Sequence, residues 1–186
     1  LDATLGFGGH AQSLVPRVLP GGHMFGMDVD PIELPRTTTR LRALGFDEAA
    51  LSTHRRNFSE MASLLPQAGG GFDFVLADLG VSSMQIDNPA RGFSFRADGP
   101  LDLRLDPTAG QSASELLQTV TRQHLRDLLI DHSDEPFAIP LAAALQGQYV
   151  ETTTQLAELV RASMQGALKA SMPQEERLVE TKKALQ

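Results

Sequence analysis

The pattern Asp2-Ala-Thr-Leu-Gly6-Phe-Gly8-Gly9-His10 places glycines where a short apolar run gives way to a polar stretch. Glycines at such a junction let the backbone approach a ligand closely and leave amide N–H groups free at a helix start. About twenty residues on, Asp28 closes a second apolar run, where α/β folds set an acid that accepts hydrogen bonds from ribose hydroxyls. Asp30 competes for that role, although Asp30-Pro31 is also an ordinary turn and helix start. The spacing Gly-x-Gly-Gly is neither the dinucleotide fingerprint nor a P-loop, so alone it reads as a ligand loop or as a plain turn. With Asp28 beside it, the loop suits a nicotinamide dinucleotide or S-adenosylmethionine. A third feature follows the apolar run 72–77. Asp78 closes that run and opens a loop, DLGVSSMQIDNPARGFSFRADGPLDLRLD, that reaches Asp106. A loop this long inside a compact domain is usually functional, and the carboxyl end of a strand is where open α/β sheets bind ligands.

The elements that must position these residues alternate. The spacing predicts strands over Leu1–Leu5, Gly22–Asp28, Leu51–Arg55 and Phe72–Ala77. Helices are predicted over His10–Leu19, from Asp30 to about Leu44, and over Phe58–Leu65. Such alternation implies a parallel sheet covered on both faces. Pro35 fits its helix only within the first turn, and Pro16 is an obstacle to the first helix. From Gly110 the character changes to helices alone. Ser112-x-x-Glu115 and Thr152-x-x-Gln155 are capping boxes, and Gln123–Ile130 and Phe137–Gln146 are amphipathic. The organisation expected is a cofactor-binding part over 1–109, a helical module over 110–170, and a charged tail over 171–186 forming a frayed or isolated helix.

Composition narrows the classes. The chain has 186 residues, 41% hydrophobic and 21% charged, ordinary values for a globular domain. A net charge of −7 argues against a protein that simply coats nucleic acid. A local basic patch from Arg36, Arg40, Arg42, Arg55 and Arg56 is a candidate RNA contact, against the alternative that these are solvated faces. There is no cysteine, which excludes disulfides and thiolate metal sites and fits a reducing, cytoplasmic compartment. No apolar run approaches the roughly 18 residues of a membrane span, and no signal peptide is visible. No His or Asp grouping has metal-ligand spacing, so no metal is expected.

The segment from Asp78 to Asp106 resembles, almost without interruption, the signature of the bacterial small-subunit (16S) ribosomal RNA cytosine-N4 methyltransferases, the MraW or RsmH family. The resemblance covers residues 1–120 closely and 121–165 loosely. It implies a partial Rossmann-like S-adenosylmethionine-dependent methyltransferase sheet with a helical inserted module. It also breaks the cofactor tie in favour of S-adenosylmethionine. The family's cofactor contacts correspond here to Gly8, Gly9, His10, Asp28, Phe58, Asp78 and Gln85. The implied partner is small-subunit ribosomal RNA or the assembled small subunit. The implied reaction is attack of a cytosine amine on a sulfonium methyl group, in a decoding-region nucleotide. A carboxylate near the amine would accept its hydrogen bond and help disperse charge. Asp78 is the first candidate, with Asp98 and Asp102 of Asp98-Gly-Pro-Leu-Asp102 after it; the competing reading of Asp98-Gly99-Pro100 is a turn. Phe93 and Phe95 would stack on an extruded base or anchor the loop. Arg91, Arg96 and Arg104 would contact phosphate or, as we favour, pair with nearby Asp residues.

Departures from the family are equally plain. The resemblance implies further sequence before Leu1 and a large second half that completes the sheet. Three accounts compete, in this order: a fragment, a partner chain supplying the missing half, or a decayed paralogue; the alternative function is a non-catalytic S-adenosylmethionine- or RNA-binding remnant or one half of a two-chain enzyme. A homodimer through the truncated sheet edge is left open. The stretch from Asp134 to Leu145 carries no Lys or Arg where relatives have basic residues. That weakens the RNA expectation more than the cofactor expectation.

Overall fold

The computed structural model describes residues 1–168 and 172–185. The chain divides into two compact units, Leu1–Met84 and Gln85–Gln186. The boundary between these units falls inside the signature loop.

The first unit is a small parallel α/β sheet. Strand β1 (Met24–Asp28) pairs in parallel with β2 (Leu51–Arg55), Met24 opposite Leu51 and Asp28 opposite Arg55. On the other side of β1 runs the extended segment Leu1–Leu5, through Asp2 N–H to Phe25 O at 2.8 Å and Leu5 N–H to Met27 O at 2.7 Å. Beyond it, Ala3 N–H donates to Leu76 O and Leu76 N–H to Leu1 O, each at 2.8 Å. The order is therefore the 74–76 segment, Leu1–Leu5, β1, β2. The strands expected over Leu1–Leu5 and Phe72–Ala77 form only isolated bridges, Asp2 with Gly26 and Asp2 with Leu76. A ladder needs consecutive pairs, and among the described residues the 74–76 segment has a partner on one side only; Phe74 and Val75 are 62% and 43% exposed there.

Both faces of β1 are buried, which is why it reads as a continuous apolar run. Met24 packs with Leu5, Val15, Leu34, Leu41 and Leu51 on one face. Phe25 and Met27 pack with Leu64 on the other. The first face is covered by α1 (Gly9–Val18), which contains Pro16, and α2 (Glu33–Ala43). Pro35 is the third residue of α2, where its missing N–H lacks an intrahelical acceptor in any case. Asp30 starts that helix: its Oδ1 accepts from Ile32 N–H at 2.8 Å and Glu33 N–H at 3.1 Å. The helix expected at Phe58 is a 3₁₀ helix, Phe58–Leu64, opened by a capping box between Asn57 and Glu60.

The second unit is helical. The short α3 (Ser83–Ile86) straddles the boundary. It is followed by α4 (Ala113–Thr119), α5 (Arg122–Ser133), α6 (Ala138–Leu145), α7 (Thr153–Ala167) and α8 (Gln174–Leu185). Both expected capping boxes are formed, Ser112 with Glu115 and Thr152 with Gln155. Leu101, Leu117, Leu125, Leu141, Val150 and Met164 form the core. Leu101 belongs to the signature loop, which explains why that loop joins the helical unit. Its neighbours are bonded to the start of α7, through Leu101 N–H to Glu151 O at 2.8 Å and Thr153 N–H to Gly99 O at 2.9 Å. The tail helix α8 is not isolated, since Ala184 and Leu185 pack on the same core. Gln186 lies outside the described residues.

Candidate functional site

In the first unit the carboxyl ends of the parallel segments converge. Leu5 leads into a turn in which Gly6 and Gly8 take left-handed φ values of +50° and +78°. Gly8 N–H closes the turn on Leu5 O at 2.7 Å, and Gly9 opens α1. The first amides of a helix have no intrahelical acceptor, so this end of α1 offers donors and partial positive charge. A Cβ on Gly9 would meet no atom within 4 Å, so the backbone here borders open space.

Asp28 closes on this turn. Gly6 N–H donates to its Oδ2 at 2.7 Å and Asp30 N–H to its Oδ1 at 2.9 Å. Each carboxylate oxygen accepts two hydrogen bonds, so both keep capacity for ribose hydroxyls. Asp30 is buried and its carboxylate is engaged at the start of α2. Arg56 N–H reaches Asp28 O at 3.1 Å, tying the exit of β2 to the same point. Phe58 follows at 43% exposure, so it is available as a flat apolar surface and is not a core residue.

Asp78 is anchored through its backbone, its N–H donating to Thr4 Oγ1 at 2.7 Å. Its carboxylate is exposed and lies 3.9 Å from His10 Nδ1. Asp2, fully buried beneath the turn, accepts Thr4 N–H on Oδ1 at 3.1 Å while its Oδ2 has no hydrogen-bond partner. Burial pushes the Asp2 carboxyl above the usual carboxylate range, partly offset by its hydrogen bond from Thr4. The structure thus brings Gly8, Gly9, His10, Asp28 and Asp78 to the strand ends of one unit. Thr4, Asp2 and Thr37 join them without having been singled out in the sequence, and Arg40 joins them by binding the turn at Phe7 O although the sequence offers it as an RNA contact.

The remaining candidates lie in the second unit. Gln85 is buried within α3. Asp98 accepts hydrogen bonds from Thr154, from both the hydroxyl and, at 3.4 Å, the backbone N–H. These bonds, with one from Thr152, hold its carboxyl below the usual range. Asp102 is paired bidentately with Arg104, at 2.7 Å from Nε and 2.6 Å from Nη2, which also holds it low. Arg91 is buried, with Nη2 donating to Leu105 O at 2.7 Å and Arg104 O at 3.2 Å. Arg96 is exposed. Phe93 and Phe95 line a cleft of ≈ 640 Å³ with Leu103, Leu129 and Val160.

The basic patch is largely spent on structure. Arg36 pairs with Glu33, and Arg56 bonds Ser63 beside Glu60. Arg42 pairs with Glu48 and gathers the carbonyls of Phe46, Asp47 and Leu51. Among the described residues no group of three or more His, Asp or Glu could hold a metal ion, and no helix is long and apolar enough to cross a membrane.

A parallel sheet with a glycine turn, a helix start and an acid at the ends of adjacent strands defines a Rossmann-like fold of the methyltransferase kind. The chain belongs to the MraW methylase family, whose model it matches over residues 1–179. Its relatives include Ribosomal RNA small subunit methyltransferase H 1 of Agathobacter rectalis, 48% identical over 168 residues, with 88% of this chain and 48% of that protein covered. Ribosomal RNA small subunit methyltransferase H 2 of Alkaliphilus metalliredigens is 45% identical over 191 aligned residues, covering 100% of this chain and 53% of that protein. Ribosomal RNA small subunit methyltransferase H of Leptothrix cholodnii is 43% identical over 166 residues, covering 86% and 50%. The chain spans about half the length of these curated relatives.

Proposed function

We propose that this chain is the cofactor-binding part of an S-adenosylmethionine-dependent methyltransferase that modifies a cytosine N4 in the decoding region of small-subunit ribosomal RNA. The observation that carries the reading is Asp28 closing on the glycine turn at the start of α1. The names of the relatives support the RNA substrate. In this reading Gly8, Gly9 and His10 line the cofactor at the start of α1, and Asp28 accepts from its ribose. Phe58 lies beside the adenine, with Asp78 completing the contacts.

The bound cofactor supplies a sulfonium methyl group. The chain's own part is orientation and charge. Asp78, exposed and held by Thr4 through its backbone, would accept a hydrogen bond from the cytosine amine and so orient the nitrogen lone pair for attack. Its negative charge would offset the positive charge that builds on that nitrogen, and the proton shed by the methylated amine would pass to this carboxylate or to water. Asp98 and Asp102 are engaged by Thr154 and Arg104 and serve the shape of the loop. A cytoplasmic enzyme acting on the assembled small subunit fits these roles.

Titration calorimetry with S-adenosylhomocysteine tests the cofactor half of the proposal. The chain is expected to bind in the micromolar range, and Asp28→Ala to weaken binding by about tenfold or more, the worth of charge-assisted hydrogen bonds. A folded chain that binds no S-adenosylhomocysteine would sink the reading. The RNA half is tested by methyl transfer to small subunits from the natural protein that carries this sequence.

A further inference from the structure

The glycine turn lies along α2, and two side chains one helical turn apart hold its backbone there. Thr37 Oγ1 donates to Gly6 O at 2.7 Å. Arg40 Nη2 donates to Phe7 O, and the Arg40 guanidinium carbon sits 3.8 Å from the Phe7 ring centroid. Nη1 of the same side chain reaches Gln12 Oε1 on α1 at 3.4 Å. Gly8 lies so close that a Cβ would stand 3.0 Å from Thr37 Cγ2 and 3.1 Å from Arg40 Nη2. In a trans peptide the N–H points opposite to the carbonyl of the same unit. Drawing the Gly6 carbonyl onto Thr37 therefore turns the Phe7 amide away from α2. Phe7, 52% exposed on a tight turn, buries little itself and gives Arg40 a flat surface to grip.

We propose that Arg40 is a positioning residue for the cofactor: it touches no ligand and fixes the glycine turn in its binding shape by clamping Phe7. The inference rests on the reading of this turn as an S-adenosylmethionine site. It also removes Arg40 from the RNA-contacting patch, because both terminal nitrogens are engaged inside the protein.

The test is calorimetric titration of the full chain with S-adenosylhomocysteine for wild type, Arg40→Ala, Arg40→Lys and Phe7→Ala, with thermal unfolding of each. Arg40→Ala is expected to raise Kd on the order of fivefold, from the loss of a stacked cation and its hydrogen bond. Phe7→Ala is expected to act in the same direction. Arg40→Lys, which can still donate to the Phe7 carbonyl, is expected to recover part of the loss. An unchanged Kd in Arg40→Ala overturns the proposal while leaving the cofactor site intact. Kd changes that simply track losses of Tm across the variants overturn it too, since they assign Arg40 to stability alone. If Arg40→Ala does not fold, wild-type affinity in Phe7→Ala overturns it. Failure of the wild type to bind removes the cofactor reading and this inference together.

Discussion

The Gly6 amide donates to Asp28 Oδ2 at 2.7 Å, so the residue that leaves the first extended segment is held by the carboxylate that ends β1. The other oxygen of Asp28 takes the Asp30 amide at 2.9 Å, just where α2 begins. One side chain therefore joins the turn to the helix that beds it.

Neighbouring glycines in that turn are expected to respond differently to alanine. At Gly8, φ is +78° and a Cβ would press on Leu41 Cδ1 and Thr37 Cγ2 at 3.0 Å. Gly8→Ala should therefore lower unfolding free energy by about 1–3 kcal/mol, from left-handed backbone strain and crowding. Gly9 has open space at its Cβ and lies in a helix, so Gly9→Ala should be neutral or stabilising. The added methyl group nonetheless projects into space assigned to the ligand, so S-adenosylhomocysteine binding should weaken. Urea unfolding and calorimetry on the pair separate the two effects; Gly8→Ala as stable as wild type would contradict the turn geometry.

Asp2 should make stability fall as pH rises through the weakly acidic range. Its folded pKa lies above the ordinary carboxylate value because burial disfavours the charge. In the window between the unfolded and folded values the native state binds more protons than the unfolded chain, so the slope is negative with increasing pH. Asp2→Asn keeps an acceptor for the Thr4 amide and carries no charge. Because burial lowers the His54 value and so adds a slope of the opposite sign, the quantity to follow is the difference between wild-type and Asp2→Asn urea midpoints from pH 4 to pH 8, which should move against the wild type as pH rises. Parallel curves would remove the buried charge as its cause.

The Asp98–Thr154 contact should be visible as protection of the loop. Asp98→Ala removes the acceptor for the Thr154 hydroxyl and amide, and the neighbouring bonds from Thr153 to Gly99 and from Leu101 to Glu151 should open more often. Amide exchange at Thr153, Thr154 and Leu101 is expected to accelerate severalfold, and much less in Asp98→Asn, which retains an acceptor oxygen. The same acceleration in both variants would mean that charge, not the hydrogen bonds, holds the loop. Because Thr154 and Thr152 keep the Asp98 carboxyl below its ordinary value, the contact persists above that value and weakens as pH falls through the folded one.

Local signals were read most easily. The Ser112 and Thr152 capping boxes, the first-turn position of Pro35 and the span Leu51–Arg55 follow from neighbours in the chain, and the structure has them where spacing puts them. Asp28 at a strand end was legible for the same reason. Contacts made across long separations were not. The acid pattern at Asp98 and Asp102 looks equally suited to catalysis, and only the fold brings Thr154, 56 residues away, onto the first. Arg42 reads as a surface charge, yet it collects three backbone carbonyls from a bend whose shape cannot be inferred from composition. The apolar run before Asp78 promised a full strand. Apolar character predicts burial on two faces, whereas a ladder also depends on what lies on either side.

The shared carboxylate of Asp28 also has a thermodynamic consequence. A molecule that engages the glycine turn and Asp28 acts on the same side chain that steadies the entrance of α2, so occupancy and folding of this unit form one linked equilibrium. At ligand concentrations near 100 Kd, such linkage adds about 2.7 kcal/mol to the unfolding free energy. In a cell where such a ligand is abundant, the protein would persist partly because that ligand is in place, and would become vulnerable to proteolysis when it runs short.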